Sequence, residues 1–105
     1  MDITLACVYA DTLLTSARLW VRRCAKSLDE ELRQTIASGL LDLHNHGVAR
    51  IDPANPLIQQ AVKFYVKANF GYDEDSEKWQ KGYERLRVNL SLNGEYNKVV
   101  AIDDG

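Results

Sequence analysis

Cysteine is scarce in this chain: Cys7 and Cys24 are the only two. Two thiols do not make the multi-bridge framework of a small secreted domain, and reduced cysteines in a cytosol are the simpler expectation. Neither has a neighbouring His to activate it as a nucleophile. Long apolar runs are missing as well. No stretch approaches the roughly 18 uninterrupted apolar residues of a membrane span. The N-terminus offers Asp2 and no basic region ahead of its short apolar run, so a signal peptide is not expected. Positive charge is not in excess: the formal net charge is −2, which gives no bulk field for holding nucleic acid. A Gly-rich phosphate loop, a G-x-S-x-G elbow, internal repeats and low-complexity tracts are all absent. These absences leave a soluble, intracellular, non-enzymatic protein without cofactor as the expectation.

What is present suits one small domain. The length is 105 residues, with 46% apolar and 27% charged residues. A chain of this size buries roughly 65% of its unfolded surface, enough for one core without staples. The densest apolar stretch is Asn55–Gly71. Asn55 is a good N-cap, Pro56 falls at the first helical position where its missing N–H costs nothing, and Gly71 suits a left-handed stop. Leu57, Ala61, Tyr65 and Ala68 form one stripe and Ile58, Val62 and Val66 the next, with Phe64 and Phe70 widening the apolar face. This predicts a central helix touched from several sides.

The rest of the chain reads around that helix. Residues 1–10 are apolar and ambiguous between a short strand and a helix lead-in. Asp11 or Thr12 can cap a first helix to about Cys24, with Leu13, Leu14, Ala17, Trp20 and Val21 on its apolar side. Ser27-Leu28-Asp29-Glu30 matches a capping box for a second helix. There Leu28, Leu32, Ile36, Leu40 and Leu43 recur at helical spacing until Gly47. Gly39 inside it costs about 1 kcal/mol against Ala unless a neighbour packs close. Residues 48–54 are a proline-restricted, mostly extended loop. Asp73 can cap a fourth helix, where Trp79, Tyr83, Leu86 and Leu90 form a single stripe and Glu77 can pair with Lys81. Asn93-Gly94 breaks it. The tail holds one β-prone strip, Val99-Val100-Ala101-Ile102, which needs something to pair with. The expected fold is all-α: a bundle of four helices near 12–24, 28–46, 56–70 and 74–92. An arm (1–11) precedes the domain (12–94) and a tail (95–105) follows. The expected core is Leu32, Ile36, Leu40, Leu57, Ala61, Val62, Phe64, Tyr65, Phe70, Trp79, Tyr83, Leu86 and Leu90.

Chemistry-bearing groups are few. His44 and His46 stand at i, i+2 and cannot both face one ion on a helix, so a structural or C-capping role is expected. Asp73, Asp75, Glu77 and Glu84 match calcium-loop positions, but Lys78 stands where the loop's Gly is needed; an acidic helix start explains them. Arg18, Arg22, Arg23 and Lys26 make the only basic cluster. It is either a solvated helix face or a contact surface for an acidic partner, protein or nucleic-acid backbone. A small DNA-binding or regulatory module using Arg18–Lys26 is therefore the alternative function.

The order of motifs goes further. Leu13-Leu14 to Arg23, Leu28-Asp29-Glu30-Glu31-Leu32, Asp52 to Gly71, Trp79-Gln80-Lys81-Gly82-Tyr83 and Leu90 to Asn97 follow one another. In this series the chain resembles the head–tail connector (adaptor) family of tailed bacteriophages, over roughly residues 12–97. The resemblance implies a helical bundle that assembles as a ring under the portal once the head is filled with DNA. Such a ring extends the channel and offers a docking face to the next neck or tail component. It implies no catalysis, no cofactor and no sequence-specific DNA reading. The implied partners are further copies of the chain, the portal and the next neck protein, in the host cytoplasm during assembly and in the virion neck afterwards. On this reading the candidate contact residues are Arg18, Arg22, Arg23, Arg50, Ile51, Asp52, Val99, Val100 and Ile102.

Overall fold

Asp2 starts the first helix, nine positions earlier than the sequence suggests. Its carboxylate accepts the Leu5 N–H at 2.8 Å and its carbonyl the Ala6 N–H at 3.1 Å, which satisfies donors the first turn leaves open. In a computed structural model that describes residues 1–21, 26–70 and 74–98, the chain folds into four α-helices: α1 (Ile3–Val21), α2 (Asp29–Asn45), α3 (Pro56–Asn69) and α4 (Ser76–Leu92). The described residues contain no strand. The fold is the all-α bundle expected, with one correction: the stretch read as an N-terminal arm is the first half of α1. Ala6, Ala10, Leu13 and Ala17 line its buried side, a run at helical spacing whose small residues let α2 come close.

A single 3₁₀ turn, Lys26–Leu28, leads into α2. The expected capping box does not form: Leu28 occupies the cap position and supplies no side-chain hydrogen bond. Asp29, Glu30 and Glu31 fill the first turn instead, where carboxylates suit the positive end of the helix dipole. At the other end Gly47 adopts φ +99°, and the Val48 N–H turns back to the Leu43 carbonyl at 3.0 Å. This is the left-handed stop that glycine permits. His46 donates from Nδ1 to the Asp42 carbonyl at 2.8 Å, within the same helix end.

The α3 start is as predicted. Asn55 Oδ1 accepts from Leu57 N at 2.8 Å and Ile58 N at 3.3 Å, with Pro56 behind it. Gly71 and Asp73, expected to stop α3 and cap α4, lie outside the described residues; α4 begins at Ser76 with Asp75 at its cap position. Glu77 and Lys81 pair at 3.6 Å, both well exposed, an interaction worth a few tenths of a kcal/mol at most.

Packing places α1 against α2 and α3, and α4 against α3, while α1 and α4 do not pack substantially on each other. Of the expected core, Leu32, Ile36, Leu40, Ala61, Val62, Phe70, Tyr83 and Leu90 are buried. Phe64, Tyr65, Trp79 and Leu86 are half-buried. Leu57 is a correction: it is 44% exposed, because it lies about 100° round the helix from Ile58, on which the buried face is centred. The buried glycine of α2 has the close neighbour it requires. A Cβ on Gly39 would lie 2.9 Å from Cδ1 of Tyr65, and that ring in turn meets Tyr83 edge-on at 5.1 Å between centroids.

Gly39→Ala should therefore destabilise the protein despite alanine's better helix propensity. The gain of about 1 kcal/mol is outweighed by overpacking of roughly 1–3 kcal/mol, because the Tyr65 ring is held by Tyr83 and has little room to yield. Urea unfolding followed by circular dichroism measures the difference; a lowered midpoint is expected.

Candidate protein–protein interface

Two arrangements of polar side chains stand out, one holding the bundle together and one presenting a surface. The first is set on α2 and α4. Tyr83, with no exposed surface, donates its hydroxyl to Asp42 Oδ2. Arg87 Nη1 donates to the same oxygen at 2.8 Å, and its guanidinium lies 5.4 Å from the Tyr83 ring centroid. Burial alone would push the Asp42 carboxyl up, but the hydrogen bonds from Tyr83 and Arg87 and the Arg87 charge outweigh it, so Asp42 sits below the usual carboxylate range. Burial and the facing Asp42 carboxylate push the Tyr83 hydroxyl well above its ordinary value. The group is a fixed ion pair that reads as structural.

The second arrangement is built from the loop after α2 and the segment after α4. Residues 49–51 belong to no helix, and the N–H groups of Ala49 and Arg50 both donate to the Tyr96 carbonyl, at 2.7 and 3.0 Å. The Tyr96 hydroxyl lies 3.2 Å from Asn55 Nδ2, which donates to it. Asn55 thus caps α3 with its oxygen and holds Tyr96 with its nitrogen. Asp52 Oδ1 accepts the Ala54 N–H at 2.9 Å, and Gln59 donates to the Pro53 carbonyl at 2.8 Å, which fixes the turn. Asn93 organises the other segment of this junction by accepting the Glu95 N–H at 2.8 Å. Between the two segments lies a depression of about 460 Å³ lined by Arg50, Ile51, Asp52, Asn55, Glu95 and Tyr96. Arg50, Asp52 and Glu95 are exposed on it.

The candidate contact residues within the described part of the chain are therefore not brought together as one surface. Arg50 and Asp52 share the depression. Ile51 is a correction: it is 8% exposed and belongs to the core, because the register that exposes its neighbours turns it inward. Arg18 is engaged within the chain. It donates from Nε to Asp29 Oδ1 at 3.0 Å and from Nη2 to Oδ2, a bidentate clamp between α1 and the start of α2. Arg33 of α2 reaches the other way with a single bond, its Nε donating to Asp11 Oδ1 of α1 at 2.5 Å. Arg22, Arg23, Val99, Val100 and Ile102 lie outside the described residues. What sequence reasoning missed is Tyr96, whose main-chain carbonyl does the joining; only its side chain, not its carbonyl, could have signalled anything.

A further depression of about 670 Å³ includes Phe64, Lys78, Trp79 and Arg85. Phe64 and Trp79 pack at 5.5 Å between centroids, and the Lys67 ammonium lies 4.9 Å from the indole while donating to the Trp20 carbonyl at 3.2 Å. Among the described residues no group of three His, Cys, Asp or Glu is placed to hold a metal ion, and no helix is long and apolar enough to cross a membrane. The arrangement is that of a small helical module whose polar groups join its elements and whose loops present exposed charges. A family model described as phage connector protein matches residues 14–97. The chain belongs to that family, whose role is structural. No curated protein and no solved structure matches it.

Two outcomes follow from this geometry. The Asp42 carboxyl is lower in the folded protein than its ordinary 3.8, so its contribution to stability is complete above that value and is lost as pH falls through the lower folded one. Acid titration of stability should show a loss below about pH 4 that is smaller in Asp42→Asn. Asn55→Ala should cost about 0.5–2 kcal/mol for the cap, and amide exchange at Ala49 and Arg50 should quicken as Tyr96 loosens. Unchanged exchange there would detach Tyr96 from the cap.

Proposed function

We propose that the chain is a head–tail connector of a tailed phage or prophage, assembling as a ring that docks on the portal after DNA packaging and completes the head. The observation that carries this is the connector-family match across residues 14–97. The ring would lengthen the DNA channel and offer its far face to the next neck or tail component, as assembly without catalysis. The chain would meet its partners in the host bacterial cytoplasm and remain in the virion neck. With a net charge of −2, the channel wall would let DNA slide rather than grip its backbone.

Within this reading the face bearing Arg50 and Asp52 is a docking surface for the portal or the next component. Its loops are held by main-chain bonds to Tyr96 while their charged ends stay exposed, which suits recognition by charge on a rigid frame. Arg22, Arg23 and the Val99–Ile102 strip are further contact candidates, the strip as a strand added to a neighbour or to the portal. The DNA-binding alternative is weakened by the engagement of Arg18 with Asp29.

Deleting the gene from its phage or prophage should yield DNA-filled heads without tails by electron microscopy, rescued by the wild-type chain. The variant Arg50→Glu/Asp52→Lys should fold normally and fail to rescue. Fully tailed, infectious particles without the chain would contradict the connector role; rescue by the double variant would contradict only the docking face.

A further inference from the structure

Asn93 ends α4 and opens the turn that carries Tyr96. Its own N–H donates to the Leu90 carbonyl at 3.2 Å, and the N–H groups of Tyr96 and Asn97 donate to the Asn93 carbonyl at 2.9 and 3.0 Å. The Glu95 N–H donates to the side-chain oxygen Oδ1 of Asn93 at 2.8 Å. Among the described residues, Gly94 alone in this turn has an N–H with no acceptor. A Cβ built on Gly94 would meet nothing within 4 Å, and glycine itself puts no side chain over its nitrogen. Asn93 and Gly94 are both exposed. An uncommitted backbone N–H therefore follows directly on an exposed carboxamide.

Those two groups can react with each other. The Gly94 nitrogen attacks the side-chain carbon Cγ of Asn93, a C–N bond closes a succinimide ring, and Nδ2 leaves as ammonia with the proton that Gly94 gives up. Water then opens the ring. Attack at Cγ restores the original backbone with aspartate in place of asparagine. Attack at the main-chain carbonyl leaves isoaspartate, in which the backbone runs through Cγ. The net change is a water taken up and an ammonia lost, with no oxidant and no cofactor. The Glu95 N–H on Oδ1 stabilises the charge that develops on that oxygen as Cγ is attacked. Asn93 is extended, at φ −87° and ψ 125°, so its peptide plane must swing to bring the nitrogen onto Cγ. That swing breaks the bonds to the Asn93 carbonyl, and the reaction runs in molecules whose turn has opened.

We propose that Asn93-Gly94 is a self-modification site: it converts through a succinimide to isoaspartate and aspartate, and so loosens the junction between Tyr96 and the loop after α2. The isoaspartyl product adds a methylene to the backbone between α4 and Tyr96 and turns the old Asn93 carbonyl into a free carboxylate. The bonds from the Tyr96 and Asn97 N–H groups lose the geometry that set the turn, and the Tyr96 carbonyl moves off the Ala49 and Arg50 N–H groups. A new negative charge also appears close in the chain to Glu95, which shares the rim of the neighbouring depression with Asp52, and like charges there repel. The chemistry stands apart from the connector reading. Its consequence rests on that reading: a copy that waits unassembled acquires a loosened docking face.

The test incubates the full chain at mildly alkaline pH and follows it by peptide mapping with mass spectrometry. Asn93 should convert ahead of the other asparagines, which precede His46, Pro56, Phe70, Leu90 and Lys98. Isoaspartate should be the major product, read by labelling with an isoaspartyl methyltransferase. Gly94→Pro removes the attacking N–H, and the extended Asn93 suits a following proline; product at position 93 should be lost. Gly94→Val has room for its side chain and crowds the nitrogen, so conversion should slow. In the converted fraction, amide exchange at Ala49 and Arg50 should be faster than in fresh protein while circular dichroism stays helical. Another asparagine converting ahead of Asn93, undiminished product in Gly94→Val, or unchanged exchange at Ala49 and Arg50 would overturn the proposal. None of these readouts uses a phage particle, so the site can fail while the connector role stands, and the reverse.

Discussion

The fold depends on one closed circuit of contacts through α2, α3 and α4. Gly39 on α2 leaves room for the Tyr65 ring from α3. Tyr65 receives the edge of Tyr83 from α4, and Tyr83 returns its hydroxyl to Asp42, one turn beyond Gly39 on α2. Each member sets the geometry of the next. A side chain at Gly39 would displace Tyr65, a displaced Tyr65 would free Tyr83, and a freed Tyr83 would leave the Asp42 carboxylate with Arg87 alone. A half-buried carboxylate is tolerable because two donors converge on one oxygen. Buried aromatic contact and a charge-assisted hydrogen bond thus act on the same three helices.

The remaining elements are fastened to this circuit by polar bonds at their ends. α1 is clamped to α2 by Arg18 with Asp29 and by Asp11 with Arg33. The loop after α2 is fastened to the segment after α4 by the Tyr96 carbonyl, and to the start of α3 by Asn55. The result is a frame with its ends tied in, carrying exposed charged loops on one side. Such a frame suits a structural protein of the connector family. Its loops must hold their shape before a partner arrives, because ordering them on docking would subtract from affinity.

Much of this was legible in the sequence where a local signal and the tertiary structure agree. Asn55-Pro56 announced the start of α3 through cap chemistry, which operates within one turn. Gly47 announced the end of α2, and Gly39 signalled a close neighbour without saying which. The start of α1 was hidden for a physical reason. Its outer strip is apolar as well as its buried side, so residues 3–10 lack the contrast from which helical periodicity is read. Ser27 and Glu30 match a capping box in letters, but the 3₁₀ turn shifts the true cap to Leu28. Arg18 read as part of a solvated face or a contact surface, because its partner, Asp29, comes from another helix. Ile51 looked like loop surface, although its neighbours' main-chain bonds to Tyr96 turn it inward. Family resemblance was carried mainly by the stretch from Pro56 to Asp73, with Trp79–Tyr83 inside α4 and Leu90–Asn97 at its end.

Native-state hydrogen exchange measures the central claim most directly. If the Gly39–Tyr65–Tyr83–Asp42 circuit holds the bundle together, the amides of residues 40–43, 62–66 and 83–87 should be the slowest to exchange. They should also open together with one free energy equal to that of global unfolding. Exchange of the α4 amides at a distinctly lower free energy than those of α2 and α3 would show that α4 opens by itself, and would contradict the account.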